Sequence, residues 1–104
     1  MNNKNICPVK KTVDLIGNKW KLLIIQQLIT KNCRFGELKN LIPDISKKVL
    51  SDNLRMLEND NIIIRKEFTQ KILHVEYKLS PLGKKLLPLI SAMESFGNQY
   101  LNKK

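Results

Sequence analysis

Through the first sixty residues the apolar positions recur every three or four places; near position 62 they begin to cluster and alternate, and from Pro81 the helical spacing returns. Pro8 suits a first helical position, and Val9, Val13 and Ile16 fall at i, i+4 and i+7, which predicts a helix over 8–16 with one stripe facing inward. Gly17 ends it. Asn18 can cap the next helix, whose Trp20, Leu23, Ile24, Gln27 and Leu28 keep helical spacing as far as Thr30 and should form the buried centre of the fold. Lys31 and Asn32 break the pattern, 33–35 reads as a short extended piece, and Gly36 begins a brief helix carrying Leu38, Leu41 and Ile42 that Pro43 ends. Ser46 is then an N-cap, with Ile45 before it and Leu50 at N4 placed as a hydrophobic staple. Leu50, Leu54 and Leu57 make the inward stripe of this helix.

Asn61, which tolerates a left-handed conformation, closes that helix, and 62–68 is rich in β-branched and aromatic residues, hence a strand. Leu73, Val75, Tyr77 and Leu79 alternate with His74, Glu76 and Lys78, a second strand with one wet face. Pairing Phe68 with Leu73 sets Arg65 against Glu76 and Glu67 against His74, and leaves Lys66 to snorkel from the apolar side, with 69–72 as the hairpin tip. Ser80-Pro81 starts a last helix in which Leu82, Leu86, Leu89, Ile90, Met93, Phe96, Tyr100 and Leu101 share one broad stripe and Pro88 should introduce a kink. That stripe, like the one on the first helix, exceeds what a small fold can cover, so the terminal helices are expected to bury each other across a homodimer.

At 104 residues, 1–104 is expected to form one domain, since two independent cores would need roughly 100 to 150 residues each. The longest apolar runs, 22–25 and 62–64, are far short of a membrane span, and no apolar segment follows Met1, so a soluble, cytoplasmic protein is expected. Cys7, Cys33 and His74 are one ligand short of a closed zinc site, and neither metal nor cofactor is implied. With one histidine, no Gly-rich phosphate loop and no paired acids beside a nucleophile, an enzyme is disfavoured. The net charge is +10, and 16 Lys against 3 Arg, beside 11 Asn and 12 Ile, reflects in part the skew of an A+T-rich genome. Residues 1–60 and 61–104 nevertheless carry +5 each, so the charge belongs to the domain and its natural partner is a polyanion.

The helix that begins after Ser46 carries that charge where it matters. Lys48, Asp52 and Arg55 lie opposite its apolar stripe, flanked by Lys47 and Ser51, and Lys47 and Lys48 precede every acid of the helix. The three helices that follow Gly17, the third with a basic leading face, followed by a two-stranded hairpin, make the fold class mainly α with a small β-hairpin: a winged helix-turn-helix dimerising through its terminal helices. In that arrangement Lys47 meets phosphate, Lys48, Ser51 and Arg55 project toward base edges, and Asp52 screens its cationic neighbours. Ser46 at the helix start and Gln70 and Lys71 at the hairpin tip complete the candidate contacts to double-stranded DNA. Trp20 and Phe35 are read as core-linked rather than as stacking platforms, and Cys33 as a buried filler. Cys7 differs, because it precedes an N1 proline at the positive end of a helix dipole with Lys10 and Lys11 close behind, an environment that favours the thiolate. An RNA-binding module using the same basic surface is the rival reading; structured RNA would not admit the helix to its deep groove.

Several short segments also resemble one family: Cys7-Pro8-Val9, Gly17 through Lys19-Trp20 with Leu22-Leu23-Ile24, Arg34-Phe35 with Glu37-Leu38, and Ile45-Ser46 with Lys48-Val49-Leu50. Leu57-Glu58 with Asp60, Val75-Glu76-Tyr77 with Leu79, and Pro81-Leu82-Gly83 continue the set. Together they resemble the HxlR-type transcriptional regulators, a branch of the MarR-like winged helices, from about Cys7 to Tyr100. The resemblance implies a bacterial homodimer that binds operator DNA, joined through the terminal helices, with thiol sensing at the N-terminal cysteine in several members. Three positions depart from the pattern. The hairpin tip Gln70-Lys71-Ile72 lacks the prolines common there, Asn61 replaces a glycine, and Asn53 stands where a basic residue is common, a change expected to weaken a phosphate contact or alter readout.

Overall fold

A computed structural model describes residues 6–103. Its elements run α1 (Pro8–Ile16), α2 (Lys19–Thr30), α3 (Phe35–Leu41), α4 (Lys47–Asn59), β1 (Ile63–Phe68), β2 (His74–Leu79), α5 (Pro81–Lys84) and α6 (Leu87–Asn102). The caps act as the sequence implies: Asn18 Oδ1 accepts from the Lys21 N–H at 2.8 Å, Ser46 Oγ from the Val49 N–H at 3.0 Å, and Ser80 Oγ from the Gly83 N–H at 2.9 Å. Among the described residues, two non-glycine residues take left-handed backbone. Asn61, at φ 62°, closes α4 as expected, and Asp44, at φ 68°, turns the chain from α3 toward the Ser46 cap.

The core gathers around α2. Its Ile24, Ile25 and Leu28 are buried with Leu38 and Ile42, the staple pair Ile45 and Leu50, and Leu54 and Leu57, while Ile63 and Leu79 close the base of the hairpin. Trp20 and Phe35 pack partly buried against this cluster, and Cys33 lies within it. Lys21 is also buried, its Nζ donating to the Leu15 carbonyl at 3.3 Å, so the end of α1 is tied to α2 by a polar contact inside an apolar setting.

Three expectations need correction. First, the hairpin register is shifted by one: Phe68 pairs with His74, Lys66 with Glu76, Arg65 with Tyr77 and Glu67 with Val75. Lys66 therefore lies opposite Glu76 and does not snorkel from the core side; Arg65 pairs with Glu67 along its own strand at 2.7 Å. His74 stacks on Phe68 at 4.7 Å and reaches Glu76 at 3.3 Å, not Glu67. The cause lies at the strand base, where the Ile62 carbonyl accepts from both the Ser80 N–H and Ser80 Oγ at 3.0 Å, fixing Ile62 opposite Ser80 and so setting Ile63 opposite Leu79. A Cβ at Gly83 would collide with that same carbonyl, so only glycine fits there.

Second, the last helix is broken rather than kinked. The Lys85 and Leu86 N–H groups bond three residues back, to Leu82 and Gly83, both at 3.0 Å, and α6 starts afresh at Leu87. Pro88 then occupies the first turn, where its missing N–H costs nothing. Third, the α1 stripe does not face inward as a whole: Ile16 is buried, but Val9 and Val13 are 71% and 56% exposed.

Candidate nucleic-acid interface

Each face of α4 has a separate task. Leu50, Leu54 and Leu57 hold it to the core, and Asn53, also buried, donates from Nδ2 to the Val49 carbonyl at 2.8 Å while its Oδ1 accepts from Asn18 Nδ2 at 3.1 Å. Asn18 simultaneously caps α2, so one amide pair pins the middle of α4 to the start of α2. Asn53 is thus on the inner side and makes no part of an anion-contacting face, which corrects the reading taken from its family position. The clue was available: Asn53 falls between Leu50 and Leu57, on the buried arc.

The outer side carries Lys47, Lys48, Ser51 and Arg55, all exposed, with Ser46 at the helix start. Asp52 sits among them and holds two of the cations, Lys48 Nζ at 2.9 Å and Arg55 at 3.2 Å. Hydrogen bonds from Lys48 and then Arg55 hold its carboxyl below the usual carboxylate range. Such solvent-exposed ion pairs open readily, so a polyanion can take over both cations. Lys47 is exposed and forms no ion pair among the described residues.

Because α4 packs directly on β1, the hairpin and the basic face belong to one packed unit. Gln70 and Lys71 are exposed at the tip, as are Ile72 and Leu73, and Leu73 lies outside the strand expected to contain it. The Phe68–His74 stack and the Lys66 ammonium 5.3 Å from the Phe68 ring stiffen the hairpin just below the tip, where proline is lacking.

The two cysteines differ in setting. Cys7 is exposed as the N-cap residue of α1, its carbonyl accepting from the Lys11 N–H at 2.9 Å, and Lys10 is engaged by Asp14 at 3.2 Å. Cys33 is buried, and burial pushes its thiol pKa up. An apolar groove of about 430 Å³ that begins at Pro8 runs between α1 and α6, lined by Val9, Val13, Ile16, Leu22, Leu89 and Met93. Further along α6, Phe96 and Leu101 project outward. No helix among the described residues is long and apolar enough to cross a membrane.

Proteins similar to this chain in sequence and shape are described as regulators. The HTH-type transcriptional regulator YdeP of Bacillus subtilis is 40% identical over 94 residues, spanning 90% of this chain and 73% of its own. The structure of the HTH-type transcriptional regulator ytcD superposes with a TM-score of 0.86 at 36% identity, covering 93% of this chain and 99% of that one. The redox regulator HypR in its oxidized form gives a TM-score of 0.84 at 36% identity, covering 89% and 96%. Residues 15–104 match the family described as HxlR-like helix-turn-helix. With its capped, basic α4 and two-stranded hairpin, the chain belongs to that HxlR-like family of helix-turn-helix transcriptional regulators.

Proposed function

We propose that the protein acts in the cytoplasm as a homodimer on an inverted-repeat operator in double-stranded DNA, each subunit laying α4 in a major groove. The observation that carries this reading is the division of labour on α4. The stripe and Asn53 satisfy the inner side within the chain, leaving Ser46, Lys47, Lys48, Ser51 and Arg55 free to face a ligand. Lys47 meets phosphate; Lys48, Ser51 and Arg55 address base edges; Gln70 and Lys71 bring the hairpin tip against the adjoining backbone. The groove between α1 and α6, with the outward Phe96 and Leu101, supports dimerisation through the terminal helices.

Anisotropy titrations on an inverted repeat, its isolated half-site, a random duplex and an RNA duplex test this, together with sedimentation. The expected outcome is a dimer that prefers the inverted repeat with half-site centres roughly 34 Å, or a multiple, apart. A stable monomer at micromolar concentration, equal affinity for the half-site, or preference for the RNA duplex would overturn it.

The same reading makes Cys7 a redox or electrophile sensor, since it is exposed and immediately precedes Pro8 and Val9, which line the groove where a partner subunit would pack. Oxidation or alkylation there adds polarity or bulk next to Val9 and so biases the subunit arrangement. A tenfold change in operator affinity needs only about 1.4 kcal/mol of difference between arrangements. Operator binding should respond to a mild oxidant in wild type and Cys33→Ser but not in Cys7→Ser; a response that follows Cys33 instead would remove Cys7 from the mechanism.

A further inference from the structure

A second recess lies outside both surfaces. It has a volume of about 460 Å³ and is bounded by the end of α2, the following Lys31 and Asn32, the end of β2, and the junction of α5 with α6. No residue of α4 or of the hairpin tip lines it. Its lining mixes apolar and polar groups, with Leu28, Ile29, Leu79 and Leu87 on one hand and Thr30 and Asn32 on the other. It is also lined by three lysines and no acid: exposed Lys31 just after α2, half-buried Lys78 of β2 and exposed Lys84 of α5. Lys31 is held by Glu37 at 2.7 Å, whereas Lys78 and Lys84 form no ion pair among the described residues. Gathering like charges around one concavity is unfavourable in the empty protein and is relieved by an anion. Inorganic phosphate would satisfy the ammonium groups and leave the apolar residues unused. The lining instead suits a molecule with one anionic end and an apolar body, and the volume falls in the range of small-molecule sites.

We propose that this recess is a binding site for a small organic carboxylate, its carboxylate between Lys78 and Lys84 and its hydrocarbon part against Leu28, Leu79 and Leu87. The position gives such a ligand leverage. Lys78 and Leu79 end the strand that carries the hairpin, and Leu87 begins the helix that carries the outward Phe96 and Leu101. An occupant therefore bridges the DNA-facing and subunit-joining parts of the chain and acts as an effector of DNA binding. That second step rests on the function proposed above; the binding step does not.

The experiment uses the full chain, with backbone amide NMR shifts and calorimetry on addition of octanoate, 1-octanol and inorganic phosphate. Octanoate should shift the resonances of Leu28, Leu79 and Leu87, bind about tenfold more tightly than octanol or phosphate, and lose that advantage in the Lys78→Gln, Lys84→Gln double variant. Neither lysine is in the core, and the variant's melting temperature, matching wild type, verifies its fold. The site is refuted by shifts at Val9, Val13 and Met93 instead, by phosphate or octanol binding as well as octanoate, by undiminished binding to the folded variant, or by no binding at millimolar octanoate. Titrating octanoate into a protein–DNA complex then tests the effector step. If octanoate binds the free protein but leaves DNA affinity unchanged, the effector role is refuted. If no duplex is bound at all, the function proposed above fails while the site stands.

Discussion

Leu50, Leu54 and Leu57 of α4 are at most 2% exposed, whereas Met93, Phe96 and Leu101 of α6 are 45%, 70% and 67% exposed, although both sets recur at helical spacing. Periodicity states that a face needs cover; it does not say whether the same chain provides it. For α4 the cover is internal, from α2 and β1, and the polar Asn53–Asn18 pair fixes the helix against its neighbour. For α6, as for Val9 and Val13 on α1, the chain is too small to supply it. The internally covered helix presents its charged side outward, and the uncovered one presents an apolar surface that, in the dimer proposed above, would set the spacing of the two basic faces.

The largest expected effect separates these two kinds of cover. Leu54→Ala should cost about 2–5 kcal/mol of folding stability, because it opens a cavity that the packed neighbours cannot fill. Phe96→Asp should leave the helical circular-dichroism signal intact and weaken self-association at least about tenfold. Denaturant melts and sedimentation run in parallel distinguish the two. If Phe96→Asp unfolds the chain while remaining dimeric, the α6 face is core and the contrast with α4 collapses.

A smaller effect divides the outer side of α4. Arg55→Ala should lose about 1–3 kcal/mol on the cognate operator, while Lys47→Ala should weaken cognate and random duplex alike and flatten the salt dependence by about one phosphate. Equal losses for both variants on both duplexes, measured at several salt concentrations, would assign Arg55 to the backbone and leave base readout to Lys48 and Ser51.

How much of this was legible depended on the range over which each signal acts. Pro8, Asn18, Ser46 and Asn61 work within about four residues of themselves, and each bounds its helix as read. The hairpin register was not legible from its charges, since opposite charges meet in either register: Lys66 finds Glu76 across the ladder and Arg65 finds Glu67 along it. What decides is the Ser80–Ile62 contact, between residues far apart in sequence. Pro88 announced a disturbance, but the broken helix also needed the tight turn at Lys85 and Leu86. The basic side of α4 could be read from one helix alone. The inward placement of Asn53 could be read from the same helix, but its partner could not, because Asn18 meets it only when α2 lies against α4.

The smallest expected effect concerns α3, a helix whose cover is internal but whose start is polar. Glu37 accepts the Arg34 N–H at 2.9 Å and Lys31 Nζ at 2.7 Å, contacts that cap α3 from outside the core. The hydrogen bond from Lys31, then the one from the Arg34 backbone, holds the Glu37 carboxyl below its ordinary range. A carboxyl whose folded pKa is depressed stabilises the fold above the unfolded value, and this stabilisation is lost as pH falls through the folded value. Glu37→Gln should therefore lower the denaturant midpoint slightly at neutral pH and flatten its decline below about pH 4, where the wild-type carboxylate is protonated in any case. Because the site is solvent-exposed, the difference should remain well below the Leu54→Ala effect and shrink in high salt. Parallel acid limbs for wild type and variant would show that α3 is held by Leu38 and Ile42 alone, with its polar start adding nothing to the internal cover.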